Sequence, residues 1–192
     1  YDTKVRADLS EEYLDISNAV ALLWRLQQRG VEVGGRWDEL ADKAVSLGRG
    51  HMLIFADAHY IMALAAKGRT AEAKALLDSL AQFAGAAGSK EGGTEEEVAR
   101  DIGLPLGEAI LAHAAGRYGE AVETLLPHRP ALKRLGGSHA QRDLFEQLLI
   151  DAAVKAGTAP VARALLSERA ETRRANAWNR EMTAAAAQLA AQ

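Results

Sequence analysis

Three short segments of this chain share one pattern, and that pattern limits the possible folds more than any other feature of the sequence. In each segment a glycine is followed by an alanine five residues later and by a leucine four residues after that. Glycine readily ends a helix in the left-handed conformation, and a small alanine lets a second helix approach the first. The pattern predicts three helix–turn–helix hairpins, at Gly68/Ala73/Leu77, Gly116/Ala121/Leu125 and Gly157/Ala162/Leu166.

The rest of the sequence also favours helices over strands. Alanine is abundant and β-branched residues are few, which suits closely packed helices. The hairpins resemble tetratricopeptide units, although they are farther apart than the roughly 34 residues of that repeat. We therefore predict an all-α fold of degenerate tetratricopeptide-like helical hairpins stacked in an α-solenoid, as a single domain over residues 1–192. A glycine-rich insert at about 85–93 is expected to be flexible, and an irregular helical bundle is the alternative fold.

Charge and composition exclude several classes of function. The net charge of −3 and the pI near 6.0 argue against general nucleic-acid binding. The chain has no cysteine, which excludes disulfides, thiol chemistry and zinc sites with thiolate ligands. No apolar run approaches the roughly 18 residues that a membrane span needs. We predict a cytoplasmic protein without a cofactor. The chain starts at Tyr1 and not at methionine, so we also expect it to be part of a longer protein.

Four segments resemble the tetratricopeptide repeat protein 38 family. They are DISNAVALLWRL at 15–26, GGRWDEL at 34–40, FADAH at 55–59 and, most specifically, GGSHAQRDLFEQ at 136–147. The similarity covers most of the chain and corresponds to the C-terminal half of a longer protein. Ala58 departs slightly from the family pattern, which has a larger apolar residue there. The resemblance implies an α-helical repeat fold, and it implies no established activity.

The clearest single helix opens at Ser138, a residue type that caps the free N–H groups of a helix start, and it ends before Gly157. It carries His139, Arg142, Asp143 and Gln147 near its start. Together with Asp57 and His59, these are our candidate ligand-binding residues. Three other histidines, His51, His113 and His128, have no partner pattern and are expected at the surface or at an interface.

Four interpretations of the candidate residues remain open. They form hydrogen bonds between neighbouring helices, or they line a pocket for a small polar ligand or peptide where the helices of Asp57/His59 and His139/Asp143 meet. The third, a metal site at His139 and Asp143, is weakened because Asp57 and His59 point to different sides of a helix, and we predict no metal. A hydrolytic set would use Ser138, His139 and Asp143, although no oxyanion site is evident.

A concave apolar groove is the other candidate surface. We expect it to be lined by five apolar side chains besides Gln147, namely Phe55, Met62, Leu106, Ile110 and Leu144. Exposed apolar surface usually marks a partner, which here would be the missing N-terminal half, a second copy or a client helix. The acidic stretch 91–101 and the basic stretch 129–142 could also pair in a homodimer, although solvated faces explain these charges better.

These features favour a protein–protein interaction scaffold of tetratricopeptide type that is not an enzyme. The partner would be a protein or peptide, and neither nucleic acid nor membrane is expected. The alternative is a small polar ligand-binding or hydrolytic site centred on His139 and Asp143, with Asp57 and His59.

Overall fold

The computed structural model describes residues 1–85, 93–173 and 176–189, and all regular secondary structure in these ranges is helical, without a strand. The prediction of an all-α chain is confirmed for these residues. The α-helices, which we number in chain order, are α1 (Tyr13–Gln27), α2 (Arg36–Leu47), α3 (Ile54–Ala66), α4 (Thr70–Ala84), α5 (Thr94–Val98), α6 (Leu104–Ala114), α7 (Tyr118–Leu125), α8 (His139–Lys155), α9 (Ala159–Thr172) and α10 (Ala177–Leu189). A π-helical turn (Ala99–Gly103) precedes α6, and a 3₁₀ segment (Leu126–Leu135) precedes α8.

The three predicted turns share one backbone geometry. Gly68, Gly116 and Gly157 have φ values of +78°, +75° and +73°. In each turn the next residue donates its N–H to a carbonyl five positions earlier, which satisfies a free group at the helix end. The three N–O distances are 2.8, 2.9 and 3.0 Å, for Arg69 to Leu64, Arg117 to Ala112 and Thr158 to Ala153. The alanines of the pattern are fully buried, so α3–α4, α6–α7 and α8–α9 form three closely packed hairpins.

The hairpins lie next to one another in chain order. Helix α6 contacts both α3 and α4, and α8 contacts both α6 and α7. Helix α10 packs on α8 and α9 at one end. No helix in the described part of the chain has the length and apolarity that crossing a bilayer requires.

Helix α1 crosses this row of hairpins and contacts both α3 and α8. Its Trp24 ring lies 6.1 Å from the His113 ring of α6, measured between centroids. Its Arg25 donates from Nε to Oε1 of Gln147 on α8 at 3.3 Å. The N-terminal helix therefore covers the side of the row that α3, α6 and α8 share.

The prediction of an open apolar groove is wrong. The five side chains assigned to it are at most 2% exposed, and they belong to the core of the chain itself: Phe55, Met62, Leu106, Ile110 and Leu144. The physical reason is that α1 packs against the face that we expected to be open. Their apolar character reflects intramolecular packing and not a vacant partner site.

The insert predicted at about 85–93 lies outside the described residues, apart from Gly85 and Gly93 at its two ends. Pairing between two copies was one possibility for the acidic and basic stretches, but charges of the two stretches pair within this chain. Arg134 of the 3₁₀ segment bonds to Asp101 of the π-helical turn and lies 3.5 Å from Glu97. These ion pairs hold the 3₁₀ segment against the turn before α6.

Candidate functional site

The start of α8 is fixed by a reciprocal cap. Ser138 Oγ accepts from the backbone N–H of Gln141 at 3.3 Å, and Gln141 Oε1 accepts from the N–H of Ser138 at 2.8 Å. Arg142 donates to the carbonyl oxygens of Gly136 and Gly137. The predicted cap is confirmed, and it places the exposed His139 side chain at the mouth of a cleft.

Asp143 is the centre of a buried ion-pair network. Arg169 of α9 donates to both of its oxygens, from Nε at 3.1 Å and from Nη2 at 2.8 Å. Gln147 donates to Oδ2 at 2.6 Å, and Arg173 Nε lies 3.2 Å from Oδ1. Asp143 is only 8% exposed, and a buried carboxylate needs such partners. Asp143 and Gln147 therefore form hydrogen bonds within α8 and between helices, as the first of our interpretations states.

The cleft above this network has a volume of about 670 Å³ and lies between α8, α9 and the 3₁₀ segment. We call it the basic cleft, because five lysine and arginine side chains line it together with His139, against three carboxylates. The cations are Arg129, Lys133, Arg142, Arg169 and Arg173, and the anions are Asp143, Glu146 and Glu168. The cleft thus carries surplus positive charge in a chain whose net charge is −3.

The cations differ in how fully they are paired. Arg129 bridges Glu146, at 2.9 Å, and Glu168. Lys133 is exposed and has no ion-pair partner among the described residues. Burial lowers the pKa of nearby Arg25, and although Asp143 acts in the opposite direction, Arg173 and Arg169 add to the lowering. Arg25 is therefore close enough to the network to be affected by both its carboxylate and its arginines.

Asp57 and His59 do not reach this cleft, so the predicted pocket shared by these two residues and His139/Asp143 is wrong. His59 is 1% exposed; its Nδ1 lies 2.7 Å from the carbonyl oxygen of Phe55, and its ring packs edge-on against Phe145. Burial lowers the pKa of His59 to about 4, so it is a neutral core histidine at physiological pH. The sequence placed both residues on the correct helix but could not show which way each side chain points.

The predicted hydrolytic set of Ser138, His139 and Asp143 is not assembled. The Ser138 hydroxyl serves as the helix cap, and His139 Nδ1 lies 3.4 Å from an Arg142 nitrogen. A different hydrogen-bonded Ser–His–Asp chain is present elsewhere: His51 Nδ1 lies 3.0 Å from Asp57 Oδ2, and its Nε2 lies 2.8 Å from Ser79 Oγ. The described residues contain no group of three or more potential metal ligands.

Sequence reasoning missed several of these partners. His51 and His113 were expected at a surface or interface, but they are 7% and 8% exposed and pair with Asp57 and Asp151; His128 is exposed as expected. The pair of His113 and Asp151 joins two helices that are far apart in the chain, whereas the pair of His51 and Asp57 joins α3 to the loop directly before it. For His113 the available signal was the shared turn pattern, which implies that α6 and α8 lie side by side. For His51 the path of the loop before α3 decides the contact, and no sequence pattern fixes that path.

The chain was compared with protein-family models and with solved structures. No protein-family model matches it, and no solved structure matches it.

Proposed function

We propose that this protein is a tetratricopeptide-type α-solenoid scaffold, related to the tetratricopeptide repeat protein 38 family, and that its basic cleft binds an acidic segment of a partner protein. The observation that carries the proposal is the surplus of positive side chains around the 670 Å³ cleft. The consecutive hairpins with their shared glycine turns support the solenoid fold. A cytoplasmic location belongs to the same proposal.

The cleft offers an acidic ligand two kinds of contact. Lys133 and His139 are exposed and face it without a carboxylate partner among the described residues. Arg129 and Arg173 are half-buried and already oriented, Arg129 by Glu146 and Glu168 and Arg173 by Asp143. Their remaining N–H groups can bind a further carboxylate at little cost in side-chain entropy. The N-terminus of α8 also points its positive dipole end toward this region, which favours negative charge.

A fluorescein-labelled oligo-glutamate peptide tests the proposal by fluorescence anisotropy. We expect it to bind, an oligo-serine peptide not to bind, and added NaCl to weaken binding because exposed charges are screened. Lys133→Ala and Arg173→Ala should each weaken binding about tenfold, the cost of roughly one charge-assisted hydrogen bond. Lys74→Ala, at an exposed lysine on α4, is the matched control and should bind like the parent. Equal binding by all three variants, or equal binding of both peptides, contradicts the proposal.

A small polyanion is the second candidate, since cavities of about 300–1,000 Å³ are typical of small-molecule sites and this cleft falls within that range. Citrate carries carboxylates like those of the peptide but is a small molecule, so competition between citrate and the peptide distinguishes the two candidate ligands. Citrate that binds more tightly than the peptide and displaces it favours a small ligand. Citrate that competes only at a large excess favours the acidic segment.

A further inference from the structure

A second cavity of about 260 Å³ lies between the start of α1, the loop before α3, and α3 itself. We call it the Asp57 cavity. Most of its lining is apolar or aromatic, including Tyr13, Leu47, Leu53 and Tyr60. Met52 lies at its edge with 85% of its surface exposed. Its size is below the roughly 300–1,000 Å³ of sites for drug-sized ligands, so it suits a smaller molecule.

Asp57 supplies a fixed and incompletely paired acceptor in this cavity. It is 2% exposed and belongs to the lining. Its Oδ2 accepts from His51 Nδ1, whereas its Oδ1 has no hydrogen-bond partner among the described residues. Oδ1 is not among the buried side-chain atoms that lack a partner, so it keeps contact with solvent, and a ligand in the cavity that donates a hydrogen bond can reach it.

His51 holds the carboxylate in position. Ser79 bonds to its other ring nitrogen at 2.8 Å, and the Phe83 ring lies 5.2 Å away between centroids. His51 has φ +45°, a conformation that residues other than glycine rarely adopt. Such strain persists where the surroundings fix a residue, and it is concentrated at functional sites. Ser79 is not part of the cavity lining, so the Ser–His–Asp chain serves to position Asp57 and not to present a nucleophile.

The charges of the lining select for a cation. Glu11 and Glu12 join Asp57 there; Glu11 is paired with Lys43 outside the lining, and no lysine or arginine belongs to the lining itself. Glu95 of α5 adds further negative potential at Asp57. The faces of Tyr13 and Tyr60 can attract a cation through their ring quadrupoles. The basic cleft has the opposite preference, so the two cavities should take different ligands.

We propose that the Asp57 cavity binds a small organic cation, a protonated primary amine with an apolar body. The ammonium group donates to Asp57 Oδ1, and the apolar body packs against Leu47, Leu53 and Ala56. This site is separate from the basic cleft and does not depend on the function proposed for it.

Isothermal titration calorimetry with 2-phenylethylammonium tests the proposal near pH 7.5. Burial raises the pKa of Asp57 to about 6, against the lowering by its hydrogen bond from His51, so the carboxylate is ionised at that pH. We expect the ammonium compound to bind, and the uncharged 2-phenylethanol and the anionic phenylacetate to bind at least about tenfold more weakly. Equal affinity for the three compounds, or no binding of the ammonium compound, overturns the proposal.

Two variants locate the site. Asp57→Asn keeps the shape of the side chain but removes the charge, and it should weaken binding at least about tenfold. Asp151→Asn, at a buried acid that pairs with His113 and Lys155, is the control and should not change the affinity. Ala56→Leu fills the apolar part while keeping Asp57, and should also abolish binding; it keeps the test decisive if the Asp57→Asn variant fails to fold. Unchanged affinity in the folded Ala56→Leu protein overturns the proposal.

Discussion

Two buried titratable residues on α3 respond to acid in opposite directions. The pKa of His59 is lowered from 6.5 to about 4 by burial, so the stability that its neutral form supports is present above pH 6.5 and is lost as the pH falls toward 4. The pKa of Asp57 is raised from 3.8 to about 6, also by burial. The cost of its charge is therefore present above pH 6 and relieved as the pH falls toward 4. Each effect is worth roughly 3 kcal/mol, at about 1.4 kcal/mol per pKa unit.

We expect Asp57→Asn to make the protein more sensitive to acid. In the parent chain, the stability lost at His59 and the stability gained at Asp57 largely cancel between pH 6 and 4. The variant keeps only the loss of stability caused by protonation of His59. Urea unfolding at several pH values measures the free energy of unfolding directly. A variant whose stability follows the same pH profile as the parent would contradict the assignment of Asp57.

We expect replacement of Asp143 to lower the free energy of unfolding, whether or not a ligand is bound. Asp143→Ala leaves Arg169 buried without its carboxylate, and removing one partner of a buried pair costs about 3–5 kcal/mol. Asp78→Ala, at an exposed aspartate on α4, should change the free energy of unfolding by less than about 0.5 kcal/mol. Urea denaturation of both variants distinguishes them, and an equally small effect at Asp143 would show that the network contributes little.

At the level of helices and turns, the glycine of each hairpin is required by the backbone conformation and not by lack of space. A Cβ atom at Gly116 would meet nothing within 4 Å, yet φ there is +75°. Gly116→Ala should therefore lower the free energy of unfolding by about 1–2 kcal/mol, the cost of the left-handed conformation for an alanine.

Gly119 is the matched control for that substitution, because it also has open space around it but lies in helix α7 with a negative φ. Gly119→Ala should be neutral or stabilising by up to about 1 kcal/mol. Thermal or urea unfolding of the pair gives the comparison. If both substitutions change the free energy of unfolding equally, the left-handed conformation is not the reason that Gly116 is required.

Local chemistry explains why the helices and turns were predictable. The glycine turns, the Ser138 cap and the end of α8 near Gly157 depend on a few neighbouring residues, and all three were predicted. The π-helical turn at Ala99–Gly103 was not predicted, because it depends on how α5 and α6 pack on α4. In the 3₁₀ segment, Pro130 has no N–H to donate, which disfavours a regular α-helix there.

At the scale of the whole molecule, sequence pattern shows which side chains are buried but not which surface buries them. The five apolar residues of α3, α6 and α8 that were assigned to the groove are buried in the core. They were wrongly left for an external partner, because nothing local shows that α1 folds back across that face. Arg169 and Arg173 were missed for the same reason, since only the packing of α9 on α8 brings them to Asp143.

The central claim is that α1 closes the apolar face and leaves the basic cleft as the binding surface. Hydrogen–deuterium exchange with and without the oligo-glutamate peptide tests both parts at once. We predict slow exchange in α1 without the peptide, and new protection on binding only at residues 129–142 and 165–173. Fast exchange in α1, with peptide-dependent protection in α3 and α6, would contradict this claim. It would indicate instead that the apolar face is an open groove that binds the peptide.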